Sequence, residues 1–275
     1  MTDFIPRLRT AQAERRSALC VGLDPDPARL PRHLLARHAL PDAVVAFNAA
    51  VIEATAPAAC AYKLNFAFYE ALGRDGYGVL ERTVQHLPPD ALAVADAKRG
   101  DIGNTARFYA EALFEQLGFD ACTVAPYMGR DAVRPFLDYA GRCAFVLART
   151  SNPSAADFQE QHVGEERLYE RVARHVAQWD GEAPGTAGLV VGATSGDALG
   201  ALRRRCPTLP FLIPGIGAQG GDPAALAAAA TADGLVLVNS SRSILYASGG
   251  EDFAEAAGAS AESLRQTLEH ALQRP

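Results

Sequence analysis

The sequence predicts an α/β protein folded as a single (β/α)8 barrel, and three observations predict it. Eight short β-rich runs recur along the 275 residues, most of them followed by a longer stretch rich in Ala, Leu, Glu and Arg. Several of those runs are almost continuously apolar rather than alternating, as parallel strands covered by helices must be. The length also suits one large barrel, where eight strand–helix units are the count of the TIM barrel. An open, doubly wound sheet is the structural competitor.

In chain order, the strands are expected at residues 18–23, 61–65, 92–97, 121–125, 144–149, 188–192, 209–214 and 235–239. Helices are expected at 42–56, 103–118, 131–140, 165–179, 198–205, 223–230 and 253–273, with a further one inside 77–87. Asp42 and Asp131 suit the N-cap position, where a short side chain can satisfy a free backbone N–H. Asp222 followed by Pro223 gives a cap-then-proline helix start. The Pro-rich stretch 24–41 reads as a loop with a short extra helix. Residues 151–164 form a second long polar connection, and long connections in compact domains often carry binding residues. No repeat, linker or low-complexity tract divides the chain, so residues 1–275 are read as one domain.

The charge balance, 26 Lys plus Arg against 32 Asp plus Glu, leaves a net charge of −6. That argues against a nucleic-acid or anionic-membrane surface. It leaves a phosphorylated small molecule open, because one guanidinium and a few backbone N–H groups can hold a phosphate. The five cysteines, Cys20, Cys60, Cys122, Cys143 and Cys206, form no CxxC pair, and reduced buried thiols in a cytoplasmic protein are the expectation. The first ten residues lack an apolar signal core. No segment stays apolar long enough to cross a bilayer, since Thr231 and Asp233 interrupt the Ala-rich stretch near Leu226.

In such a barrel the chemistry belongs at the C-terminal ends of the strands. Those ends carry Asp24, Lys63, Asp96 with Lys98, residues 123–127, Thr150-Ser151-Asn152, Thr194, Pro214-Gly215 and residues 239–242. The densest cluster is Asp96-Ala97-Lys98-Arg99-Gly100-Asp101. On an extended strand Asp96 and Lys98 share a face, while Asp101, beyond the glycine, is free to project elsewhere, including across a subunit boundary. A second cluster, 214–222, is glycine-rich and follows the seventh strand, where barrels commonly hold phosphate. Arg242 follows the eighth strand and adds a fork that can grip a phosphate bidentately. Solvated loop charges and a plain glycine turn are the bland alternatives. Two acids and two lysines converging on one barrel mouth weigh against them. No GxxxxGK[ST] loop is present.

These residues resemble a known family. Asp96-Ala97-Lys98-Arg99-Gly100-Asp101-Ile102 matches the DxKxxDI signature of the orotidine 5′-phosphate decarboxylase family, and the continuation Gly103-Asn104-Thr105-Ala106 is similar to its longer bacterial, type 2 subgroup. The resemblance extends through 21–24, 62–70, 149–153, 214–222 and 239–242. It implies a homodimeric barrel that converts orotidine 5′-monophosphate to uridine 5′-monophosphate and CO2 without metal or cofactor. It further implies that Asp24 contacts a ribose hydroxyl and that Lys63 bridges the ribose and the charged network. Asp96 would lie beside the substrate carboxylate and Lys98 would deliver the proton. Asp101 would complete an alternating Lys–Asp–Lys–Asp array from the neighbouring subunit, with Thr105 beside it at the interface. Ser151 would meet the pyrimidine edge, Pro214 would line the base pocket, and Gln219 and Arg242 would hold the phosphate. Asn152 and Ser154 stand where a histidine and a glycine are common in shorter members, and the loop after Ser151 is longer.

Three other readings compete with it. One is a Mg2+-dependent sugar-phosphate decarboxylase or synthase on the same barrel, against which the absence of extra acidic ligands after the first two strands argues. The others are a Schiff-base aldolase using Lys63 or Lys98, and a catalytically silent nucleotide-binding barrel.

Overall fold

The computed structural model describes residues 3–193, 196–215, 226–227, 229–230 and 235–272. Among them, eight parallel strands close into a barrel: β1 (Leu19–Gly22), β2 (Ala61–Asn65), β3 (Leu92–Arg99), β4 (Ala121–Val124), β5 (Cys143–Arg149), β6 (Thr186–Val191), β7 (Phe211–Pro214) and β8 (Val236–Ser240). Neighbours in sequence are neighbours in the sheet, and β1 closes the circle against β8 with Cys20 opposite Asn239. The ring places Gly22 beside Lys63, Asn65 beside Asp96, and Asn239 beside Pro214. Parallel pairing aligns all the C-terminal ends at one mouth, which is why residues far apart in sequence meet there.

Apolar packing occurs in two shells. Cys20, Val94, Ala121, Phe145, Leu212 and Leu237 belong to the smaller, inner cluster. The larger cluster packs strands against helices, including residues 40–55, 168–180 and 253–272. The inner cluster is sealed at the base by a helix, Phe4–Arg15, that the sequence reading left unassigned. Its Phe4 is buried and meets the Phe145 ring edge-on, with centroids 6.1 Å apart. The helix buries only Phe4, Leu8 and Ala11 among its twelve residues, so its apolar stripe is too thin to stand out from a charged background. Asp120 ties it down: one oxygen accepts from Arg7 at 2.7 Å and Arg142 at 2.8 Å, the other from the Ala93 N–H at 2.9 Å.

Several expected boundaries move. Asp42 and Asp131 are not N-caps: the helices start at Leu40 and Arg130, behind Ala39 and Gly129, and both aspartates sit in the first turn. Pro41 suits the opening turn of the first helix, and a first-turn carboxylate still complements the helix dipole. The helix expected at 103–118 runs over Gly103–Glu111 and continues as a π-turn through Gln116. The one expected at 165–179 begins at Leu168, because Glu166–Arg167 pair antiparallel with His162–Val163. The stretch 24–41 does hold a short helix, Arg32–Arg37. Thr194 and most of the helix expected at 223–230, with its Asp222-Pro223 start, lie outside the described residues.

Candidate active site

The mouth is organised around Asp96. Its Oδ2 accepts from Lys63 Nζ at 3.0 Å, and its Oδ1 accepts from Lys98 Nζ at 2.6 Å and from Thr123 Oγ1 at 2.9 Å. Lys63 Nζ also lies 3.6 Å from Asp24 Oδ1, so Asp24, Lys63, Asp96 and Lys98 form one chain of alternating charge. Lys63 and Asp96 are buried, whereas the Lys98 side chain is half exposed. Burial alone would raise the Asp96 pKa, but the Lys63 and Lys98 ammonium groups hold it well below the usual carboxylate range. Burial likewise opposes charge on Lys63, and Asp24 with Asp96 overcomes it, leaving its pKa above the ordinary lysine value. The central pair is therefore ionised at neutral pH.

The backbone delivers Lys98 by an irregular route. Ala95 pairs with Cys122 and Arg99 pairs with Val124, so three β3 residues stand opposite Thr123 alone. Lys98 takes φ of +46°, a conformation that costs a non-glycine residue roughly 1–2 kcal/mol. Asp96 and Lys98 do meet, as the spacing predicts. The cause is this bulge and a left-handed residue, not the regular pleat. Gly22 has a matching role on β1, since a Cβ there would fall 2.7 Å from that of Ser241 and 3.1 Å from Asn239 Nδ2.

Two adjoining cavities flank the array and share Lys63, Asp96 and Pro214. One, of about 330 Å3, extends from Asp24 toward Gly215 and Arg242. The other, of about 490 Å3, extends over Lys98 and Thr123 toward Ser151 and Gln159. Both fall in the range of small-molecule sites. Ser151 packs against Gly192, where a Cβ would come within 2.9 Å of the serine Cβ. The 151–164 connection is fastened to β5 rather than loose: Gln159 accepts from the Thr150 N–H at 2.8 Å, and Arg149 pairs with Glu160 at 2.5 Å.

The predicted residues thus fall into three groups. Asp24, Lys63, Asp96, Lys98, Ser151, Pro214 and Arg242 converge on the two cavities. Arg242 is exposed at the start of a short helix, Arg242–Leu245, and no carboxylate among the described residues pairs with it. Asp101 and Thr105 lie just past β3: the Asp101 carboxylate accepts from the Ile102 N–H at 2.8 Å, and Thr105 is exposed on the helix Gly103–Glu111. Neither lines the cavities among the described residues. Gln219 lies outside the described residues. Sequence reasoning gave no role to Thr123, Asn65, Phe68 or Gln159, all of which line the cavities. Thr123 had the signal of a strand end, but Gln159, deep in a long loop, had none.

Among the described residues, no group of three or more His, Cys, Asp or Glu is placed to hold a metal ion. A closed parallel barrel with a lysine–aspartate array and two cavities at its C-terminal mouth has the architecture of a barrel enzyme with a small-molecule site. The chain belongs to the orotidine 5′-phosphate decarboxylase / HUMPS family, whose pattern matches residues 17–257. It is 46% identical to the orotidine 5′-phosphate decarboxylase of Dehalococcoides mccartyi, over 98% of this chain and 99% of that protein. It is 48% identical to the one from an Azoarcus species, over 96% of this chain and 98% of the relative. Among solved structures, the OMP decarboxylase of Leishmania donovani superposes with a TM-score of 0.85 at 36% identity, covering all of both chains.

Proposed function

We infer that this chain decarboxylates orotidine 5′-monophosphate to uridine 5′-monophosphate and CO2, the last step of de novo UMP synthesis. The observation that carries this is the chain of alternating charge at the mouth, with Lys98 Nζ 2.6 Å from Asp96 and half open to the cavity. Loss of CO2 leaves an electron pair at C6 of the pyrimidine, with no adjacent carbonyl to accept it. A site that lowers this barrier must favour the carbanion electrostatically over the carboxylate.

The chain's residues can do so in a defined order. Asp96, held anionic by two ammonium groups, sits beside the substrate carboxylate and opposes it until CO2 departs. Lys98 stabilises the developing negative charge and then transfers an ammonium proton to C6, regaining one from solvent through its exposed face. Asp24 and Lys63 take the ribose, Ser151 and Pro214 the base, and Gln219 with Arg242 the phosphate. Enzymes lower barriers by roughly 8–23 kcal/mol, more than one ion pair supplies. Binding energy from the phosphate end is therefore expected to act on the rate as well as on affinity.

We also propose a cytoplasmic homodimer in which Asp101 and Thr105 reach the partner's site. Asp101 has no cation of its own within ion-pair distance among the described residues. Ile102, Phe108, Tyr109, Tyr127 and Met128, on the segments after β3 and β4, are exposed apolar side chains of the kind that mark subunit contacts. All five cysteines are free and buried, and no described helix is long and apolar enough to cross a membrane.

The test is spectrophotometric loss of orotidylate by purified protein, with and without EDTA. Turnover unaffected by EDTA is expected. Turnover abolished by EDTA and restored by Mg2+ would move the chain to metal-dependent chemistry, and no turnover in either condition would remove the assignment.

A further inference from the structure

The bulge in β3 leaves the Lys98 N–H without a ladder partner on β4, because the regular pairing resumes only at Arg99 and Val124. An unpaired N–H at a half-buried site is costly, and here a side chain replaces the missing carbonyl: Lys98 N donates to Thr123 Oγ1 at 2.9 Å. The same hydroxyl lies 2.9 Å from Asp96 Oδ1. The two contacts fix its proton. The backbone N–H can only donate, so the hydroxyl accepts there, and the ionised carboxylate can only accept, so the hydroxyl donates to it. Thr123 is almost wholly buried.

Resting on the reading above, we propose that Thr123 is a positioning residue for the decarboxylation, fixing both ends of the Asp96–Lys98 pair through one hydroxyl. Toward Lys98, it supports the left-handed backbone that turns the ammonium back onto Asp96. Toward Asp96, it holds Oδ1 in place with a donor that does not lose its proton during turnover. Lys98 does lose one when C6 is protonated, and at that moment its hold on Asp96 weakens. Without Thr123 the carboxylate is free to rotate in the step where its placement matters most. Lys63 restrains only the other oxygen.

The experiment compares Thr123→Val, which keeps the shape and removes the hydroxyl, with Thr123→Ser, which keeps the hydroxyl. Hydrogen bonds to charged groups commonly account for factors of about 10–100, so kcat in Thr123→Val is expected to fall by about that much. KM for orotidylate and affinity for UMP should stay within about threefold, since Thr123 bonds to the reacting pair and not to the phosphate grip. Thr123→Ser should recover most of the lost kcat. Wild-type kcat in Thr123→Val overturns the inference, as does an equal loss in Thr123→Ser, which would assign the residue to packing alone. If Thr123→Val does not fold, the same comparison is made between Thr123→Ala and Thr123→Ser, and equal rates in that pair overturn the proposal. Wild-type protein inactive on orotidylate removes the functional reading itself. Active wild type with an unimpaired Thr123→Val removes only the role of Thr123.

Discussion

At the scale of single residues, Asp96 concentrates the physics of the site: three donors converge on one buried carboxylate whose charge two lysines sustain. Its folded-state pKa is depressed, so the stabilisation from its charge is present above the ordinary carboxylate pKa and lost only as pH falls through the lower, folded value. The Asp96 carboxyl 13C resonance should accordingly show no titration between about pH 4 and 8. A midpoint in that window would break the account of the array, and any acid limb of activity above about pH 5 must come from another group or from the substrate. Lys98 makes a different prediction. General acids typically contribute about 10²–10⁴-fold, so Lys98→Ala should lose at least about 100-fold in kcat. Its fold should persist, because the side chain is half exposed and alanine tolerates the left-handed backbone no worse than lysine. Unfolded protein, or substantial residual turnover, would contradict the role.

At the scale of elements, the barrel separates a sealed base from a reactive mouth. The helix Phe4–Arg15 plugs the base, where Phe4 packs on Phe145 and Arg7 reaches Asp120. Phe4→Ala should destabilise by about 3–5 kcal/mol through the cavity it leaves. At roughly 2–4 °C per kcal/mol, the melting temperature should drop by about 6–20 °C. Below that temperature kcat should match wild type, since the reacting groups sit at the opposite ends of the strands. A folded Phe4→Ala protein with lost activity would show that base and mouth are coupled. Strand β3 is the element where regular structure gives way to chemistry. Its last residues leave the ladder, and the deviation is tolerated because Thr123 and the Lys98–Asp96 contact over-determine it.

At the scale of the whole molecule, the proposed homodimer draws each site from two chains. Asp101, past the bulge, neither lines the described cavities nor pairs with a cation among the described residues. In the homodimer proposed above, mixing Lys98→Ala and Asp101→Asn subunits should therefore restore activity. In a random mixture half the dimers are hybrid, and each hybrid rebuilds one intact site out of two, giving roughly a quarter of wild-type activity. No recovery in a mixture demonstrated to exchange subunits would place Asp101 in its own chain's site or outside the reaction.

The sequence by itself determined the architecture and picked out most of the residues that converge on the barrel mouth. Near-continuous apolar runs dictate buried parallel strands, and the motif from Asp96 to Ile102 carries its family resemblance in local order. What only the tertiary structure decided depends on contacts between distant segments. Periodicity sees single elements, so it missed the base-plugging helix, whose short buried stripe gains meaning only against Phe145. It gave Asp96 and Lys98 a shared face for the wrong reason, since a register shift between β3 and β4 belongs to the pair of strands and to neither sequence alone. The hydroxyl of Thr123 became legible only there, where closure of the barrel brings it between a carboxylate and a backbone N–H, 27 and 25 residues away in the chain.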